Sequence, residues 1–138
     1  MKFFAKAAGK KAELFLYDAI GADYFGDGIT AKSVADALAE FTPKADLDIY
    51  INSPGGSVFD GIAIYNQLAR WGGKKTVHID GIAASIASVI AMVGDEIKIA
   101  ENGLFMIHSA WGITVGNAAE MRKYADSLDK INGTILDT

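Results

Sequence analysis

A chain of 138 residues, 51% of them apolar, can bury one respectable core, and nothing in its length calls for a second domain. A net charge of −4 without any long run of Lys or Arg lacks the electrostatic footprint of a nucleic-acid binder. The absence of cysteine removes disulfides and thiolate nucleophiles, and two histidines without cysteine make a poor zinc site, so neither metal nor cofactor is expected.

Residues 1–12 carry Lys2, Lys6, Lys10 and Lys11 among short apolar pieces, which is not the continuous apolar region of a signal peptide. They read as an N-terminal arm ahead of one domain over 13–138. Glu13 to Tyr17 reads as a strand, followed by a glycine-rich loop over 21–28 that bears Tyr24 and Phe25. From Ile29 to Phe41, Val34, Leu38 and Phe41 recur at helical spacing behind a Thr30 cap. Asp46 to Ile51 alternates as a strand and runs into Ser53-Pro54-Gly55-Gly56. A helix from Val58 to Arg70 follows, with Ile62, Tyr65 and Ala69 read as its apolar stripe and Gly72-Gly73 as its stop. Thr76 to Asp80 is a strand, Ala84 to Met92 a helix, and Glu96 to Ala100 and Leu104 to Ile107 are short strands. The uncharged run Gly81 to Gly94 is too short to span a bilayer, so no membrane partner is expected. Last, Asn117-Ala118-Ala119-Glu120 has capping-box spacing and introduces Met121, Tyr124, Leu128, Ile131 and Ile135 at steps of three and four. A long helix with a narrow apolar stripe, suited to its own sheet or to insertion between subunits, is the expectation. The alternation of strand and helix favours an α/β class with largely parallel pairing.

Three strand ends carry chemistry. Ser85 sits where a strand gives way to a helix, so negative charge developing on its oxygen would lie near free backbone N–H groups, while Ala83, Ala84 and Ala87 leave room for a substrate backbone. Taken alone, Ser85 reads better as a small residue tolerated in an Ala-rich helix. His108 closes the strand Leu104 to Ile107 and could take the serine proton and return it to a leaving amine, or be only a satisfied polar residue. His78, mid-strand, is a weaker candidate. Gly55-Gly56 either makes a plain turn or exposes N–H donors for an oxyanion. The segment lacks the Lys and Ser/Thr of a P-loop and is not GxGxxG, and Ser85 is not in a G-x-S-x-G context.

The segments Ile51-Asn52-Ser53-Pro54-Gly55-Gly56-Ser57-Val58, Gly61-Ile62-Ala63-Ile64-Tyr65, Gly81-Ile82-Ala83-Ala84-Ser85 and Met106-Ile107-His108 resemble the Clp protease proteolytic subunit family, in order and at similar spacing, from about Leu14 onward. Details such as Gly26-Asp27-Gly28-Ile29-Thr30-Ala31-Lys32 and Asp60-Gly61-Ile62-Ala63-Ile64-Tyr65-Asn66 are most similar to the phage and prophage branch associated with head maturation. The resemblance implies a Clp/crotonase fold of repeated ββα units, with a long protruding handle helix at the C-terminal end. It implies Ser85 as nucleophile, His108 as general base, and the backbone N–H groups of Gly56 and Ile86 as the oxyanion hole. Peptide or protein substrate would lie extended beside Gly55, Ser57 and Val58 and beside Ile113, Thr114 and Val115. It further implies a cytoplasmic homo-oligomer forming rings. With no Walker motif here, an unfolding ATPase would be a separate chain.

The family's triad acid lies beyond the handle. Asp126, Asp129 and Asp137 fall on the handle itself and match no such residue, so the chain reads as cut in or after that helix. Loss of an orienting carboxylate can reduce turnover by about 10⁴, so weak or absent activity is the expectation. Two rivals stand beside the peptidase: a crotonase-like acyl-CoA enzyme, which shares the fold but does not require both Ser85 and His108, and a catalytically incomplete Clp-like assembly protein.

Overall fold

The computed structural model describes residues 3–8, 11–22 and 26–137. They form two compact units, one up to Ile107 and one from His108 onward, described in turn. In chain order the first contains β1 (Phe3–Ala8), β2 (Lys11–Leu16), α1 (Ala31–Leu38), β3 (Asp46–Ser53), α2 (Val58–Ala69), β4 (Lys75–Ala84), α3 (Ile86–Ala91), β5 (Glu96–Ile99) and β6 (Leu104–Met106).

One mixed sheet organises this unit, in the order β1-β2-β3-β4-β5, with β6 also pairing to β4. Pairing is parallel throughout except for β1 against β2. The central strand β4 is long enough to take two neighbours along one side: Thr76 to Ile79 pair with β5, and Ile82 to Ala84 pair with β6. Strict alternation puts Leu14 and Leu16, Ile49 and Ile51, and Val77 and Ile79 in the core. The buried stripes of the helices, Val34 and Leu38, Ile64 and Leu68, and Ile86 and Ile90, complete it. On the opposite face, Phe4, Phe15, Tyr50 and His78 stack ring on ring across four strands, at centroid distances of 4.2, 4.6 and 4.6 Å.

Four sequence expectations change. Phe3–Ala8, within the segment read as an arm, is a sheet strand: Phe4 lies against Phe15, and Lys6 meets Glu13 at 2.9 Å. Strand β4 does not stop at Asp80. Gly81 lies inside the strand against the side chain of Asn52, whose Oδ1 would be 2.5 Å from a Cβ there. Helix α3 starts at Ile86 rather than Ala84, because Ser85 leaves the helical region. Finally, α2 ends through Arg70 in right-handed conformation, without a left-handed glycine. Gly73 is needed for another reason, as its Cβ would meet Ala45 O at 1.9 Å. Tyr24 and Phe25 lie outside the described residues.

The second unit is dominated by α4 (Ala118–Leu136). Its expected cap is present: Asn117 Oδ1 accepts from the N–H groups of Ala119 and Glu120, and Glu120 Oε2 accepts the Asn117 N–H at 2.7 Å. Ahead of the helix, the Ala110 N–H donates to Asn132 Oδ1 at 2.7 Å, and Gly112 lies directly against Tyr124. No helix among the described residues is long and apolar enough to cross a membrane.

Candidate active site

Strand β4 ends on Ala84, and the next residue has no ordinary place to go. Ser85 takes φ 54° and ψ −129° and is the one non-glycine residue at positive φ among the described residues. Such a backbone costs of the order of 1–3 kcal/mol in a residue that has a Cβ, so the surroundings must hold it. They do so by hydrogen bonds. The Ser85 N–H donates to Met106 O at 2.9 Å, and its carbonyl accepts from Ser88 N at 2.9 Å and Ser88 Oγ at 2.5 Å. Ser88 is buried and has no other evident use for its hydroxyl, so the first turn of α3 is built around the Ser85 carbonyl. The Ser85 hydroxyl does not cap the helix. A half-buried serine on a strained strand-to-helix turn is the backbone solution by which hydrolase folds present a nucleophilic oxygen. The local sequence, without G-x-S-x-G, gave no sign of that strain.

The glycine turn after β3 is pressed against this serine. A Cβ on Gly55 would lie 2.6 Å from Ala84 O and 2.7 Å from Ser85 Cβ, and Gly55 also has φ 89°. Only glycine satisfies both demands. Beyond it, Gly55 O accepts from Ile20 N at 2.9 Å and Ser57 N donates to Ile20 O at 2.7 Å. In such a parallel bridge the intervening residue directs its own N–H to the opposite side. Gly56 is that residue, and its N–H has no acceptor among the described residues. Ile86 is the first residue of α3, so its N–H is one of the four that the helix itself leaves unpaired. Ile86 N lies 3.2 Å from the position of a Gly55 Cβ. Two backbone donors and the Ser85 turn therefore occupy one neighbourhood. Ser57 caps α2, accepting the Asp60 N–H at 3.2 Å, and Val58 opens that helix.

His108 belongs to the second unit and is exposed there. It follows Met106, whose carbonyl holds the Ser85 N–H, by two residues. Ile113, Thr114 and Val115 lie in irregular chain before α4, with Ile113 84% and Val115 93% exposed. Asp126 and Asp129 lie on α4 and Asp137 at its C-cap. His78, the weaker candidate, is taken up in the outer aromatic stack and lies 3.3 Å from Asp48. No cluster of three or more His, Cys, Asp or Glu residues suited to a metal ion occurs among the described residues.

Sequence reading missed the supports of this site. Asn52 and Asp60 fall inside the family-like motif segments but have no role readable there, and Ser88 lies in none, although Ser57 followed three residues later by Asp60 has the spacing of a helix start.

The fold and the serine turn define an α/β protein with a hydrolase-like strand-to-helix junction, and the comparisons agree. The family model for Clp protease matches residues 5–138, and the chain belongs to that family. It is 31% identical over 128 residues to ATP-dependent Clp protease proteolytic subunit 2 of Synechococcus sp. (strain CC9605), covering 83% of this chain and 64% of that protein. It is 29% identical over 126 residues to subunit 1 of Synechococcus sp. (strain CC9902), with the same coverage. It is also 35% identical over 111 residues to the proteolytic subunit of Bacteroides thetaiotaomicron, covering 79% of this chain and 50% of that protein. The chain thus spans about half to two thirds of the length of these relatives.

Proposed function

We propose that the protein is a serine-type endopeptidase of the Clp type that cleaves peptides or proteins within an oligomeric ring. Ser85 is the nucleophile, His108 its general base, and the Gly56 and Ile86 N–H groups the donors to the tetrahedral oxyanion. The observation that carries this reading is the strained Ser85 backbone with Gly55 seated directly on it. A fold keeps a serine at φ 54° where its hydroxyl must stand clear of the helix that follows. Proton transfer from Ser85 Oγ to His108 would generate the alkoxide that adds to the scissile carbonyl. The imidazolium would then return the proton to the departing amine, leaving an acyl-enzyme for water to hydrolyse. An extended substrate would pair with the backbone at Gly55, Ser57 and Val58 and at Ile113, Thr114 and Val115.

Membership of the family and the names of its relatives support a Clp-type proteolytic subunit served by a separate ATPase, while the ring, the cytoplasmic setting and the Clp/crotonase fold rest on the resemblance of the motifs. The phage-like details of the Gly26 to Lys32 and Asp60 to Asn66 segments support a role in prohead maturation. A serine-directed fluorophosphonate, with the adduct located by peptide mass spectrometry, tests the site. Labelling at Ser85 that is lost in Ser85→Ala and falls at least a hundredfold in His108→Ala is the expected outcome. A folded chain that takes no label would leave the assembly-protein rival standing. Turnover of an acyl-CoA that survives Ser85→Ala would favour the crotonase-like one.

A further inference from the structure

The Gly56 turn is held by a closed circuit of hydrogen bonds, and one carboxylate closes it. Residues 19–21 lie between two other stretches of chain. On one side Ile20 bonds to Gly55 O and Ser57 N, at 2.9 and 2.7 Å. On the other, Gly21 N donates to Ile29 O at 2.7 Å and Ile29 N to Ala19 O at 2.9 Å. Ile29 leads through the Thr30 cap to Ala31, the first residue of α1. The Ala31 N–H donates to Asp60 Oδ1 at 2.8 Å, and Asp60 stands in the first turn of α2, which begins immediately after Gly56-Ser57. The circuit returns to its start. Nothing in it is loose: a Cβ on Gly21 would lie 2.6 Å from Ser57 Cβ, one on Gly28 2.0 Å from Gly21 O, and one on Gly56 2.1 Å from Ile20 O. Gln67, two turns along α2, adds a second tie by donating to Ala31 O at 2.9 Å.

We propose that Asp60 is a positioning residue for the Gly56 donor, acting through its hydrogen bond to the N–H at the start of α1. The inference rests on the reading of Gly56 as an oxyanion donor. Asp60 is not itself that donor, because its N–H is spent on Ser57 Oγ and its carboxylate on the Ala31 N–H. What it fixes is the distance between α1 and the first turn of α2. Ile20 rides between those elements, and Ile20 sets the plane of the Gly55 and Gly56 peptides. A side-chain acceptor at this position is enough for the role. Its charge, near the N-termini of two helices, adds stability without being needed for the geometry.

The 138-residue chain carries the test, with the rate of fluorophosphonate addition to Ser85 as readout, because the phosphoryl oxygen of that reagent occupies the oxyanion position. Asp60→Ala is expected to slow addition by about tenfold or more, measured well below the thermal midpoint of each variant. Asp60→Asn, which keeps an acceptor oxygen, is expected to return to within about threefold of the parent. Ala31→Pro removes the same hydrogen bond from the other end. Proline is favoured at a first helical position, and Thr30 has the extended ψ of 156° that proline requires before it, so this variant keeps α1. It is expected to match Asp60→Ala, and the double variant to be no slower than either. Addition at the parental rate in folded Asp60→Ala or Ala31→Pro, or Asp60→Asn as slow as Asp60→Ala, would overturn the proposal while the parent still labels. A parent that does not label at Ser85 defeats the active-site reading, and this positioning role with it.

Discussion

The two sides of β4 are built differently. Toward β3 and β2 every second residue is fully buried beneath α1 and α2, and the strands end in turns where no side chain larger than hydrogen fits. Toward β5 and β6 no residue is buried: Leu104 is 63% and Ile107 74% exposed, and Ile97, Ile99, Phe105 and Met106 are exposed beside them. The first side is stabilised within the chain, by burial worth about 25 cal/mol per Å². The second leaves large apolar side chains of both strands exposed. Ser85 lies on the seam, with Gly55 packed on it from one side and Met106 O holding its N–H from the other. The Gly55-Gly56 turn is thus held by a buried part of the chain, whereas the β6 support of the serine comes from a strand with no buried residue.

Core truncation should show the contrast most strongly. Ile64→Ala, in α2 and wholly buried, is expected to cost about 3 kcal/mol by denaturant unfolding, whereas Leu104→Ala in β6 should cost less than about 0.5 kcal/mol. Equal losses would erase the distinction between the two sides. Leu104→Asp sharpens it: sedimentation should show assembly shifted to higher concentration by about tenfold or more, with the unfolding midpoint of the unassembled chain unchanged.

Gly55→Ala comes next. Its Cβ would overlap Ala84 O and Ser85 Cβ at a φ of 89°, so a loss of about 2–3 kcal/mol is expected. Addition of fluorophosphonate should fall further than stability does, because the strained serine is the neighbour that must move. Gly61→Ala, whose Cβ would lie 2.1 Å from Ile86 Cγ1, is expected to cost about 1–2 kcal/mol and to slow addition through displacement of the Ile86 N–H.

The sequence was legible where one element carries its own signal. The alternation of β3, the extent of α2 and the Asn117 capping box all have their cause within a few residues, and the structure places them within one or two residues of expectation, whereas the α2 stripe read on Ile62, Tyr65 and Ala69 falls one position away, on Gly61, Ile64 and Leu68. It was opaque where the cause lies across the sheet. Strand β1 is held by Phe15 and Glu13, ten or so residues away, and Lys6 and Phe4 reveal nothing until those partners are paired. Gly81 lies within β4 beside Asn52, and the Ser85 conformation is held by hydrogen bonds to Ser88 and Met106 that its flanks do not announce. Motif residues of the site could be named from sequence. The groups that hold them, Asp60 and Ser88 foremost, could not, because their roles exist only after β3, β4 and α1 have come together.

The smallest effect concerns the outer face of the better-buried side. Tyr17 Oη donates to Asp80 Oδ2, and burial, followed by that bond and the Asp80 charge, pushes the phenol up from 10.0 to about 12. The native chain therefore keeps a proton between pH 10 and about 12 that the unfolded chain releases, so stability is complete below that window and falls as pH rises through it. Tyr50 is raised in the same direction, by burial first and then by Glu13, Asp48 and Asp80, and adds to the fall. Tyr17→Phe should lower stability at neutral pH by about 1 kcal/mol, through loss of the bond to Asp80. It should also flatten the alkaline decline, leaving the share due to Tyr50. Because β5 and β6 carry no tyrosine, the decline should track unfolding of the β2 to β4 face and be unaltered by Leu104→Asp. An alkaline midpoint that moves with Leu104→Asp and not with Tyr17→Phe would place the weak side of the sheet, rather than the buried one, in control of unfolding.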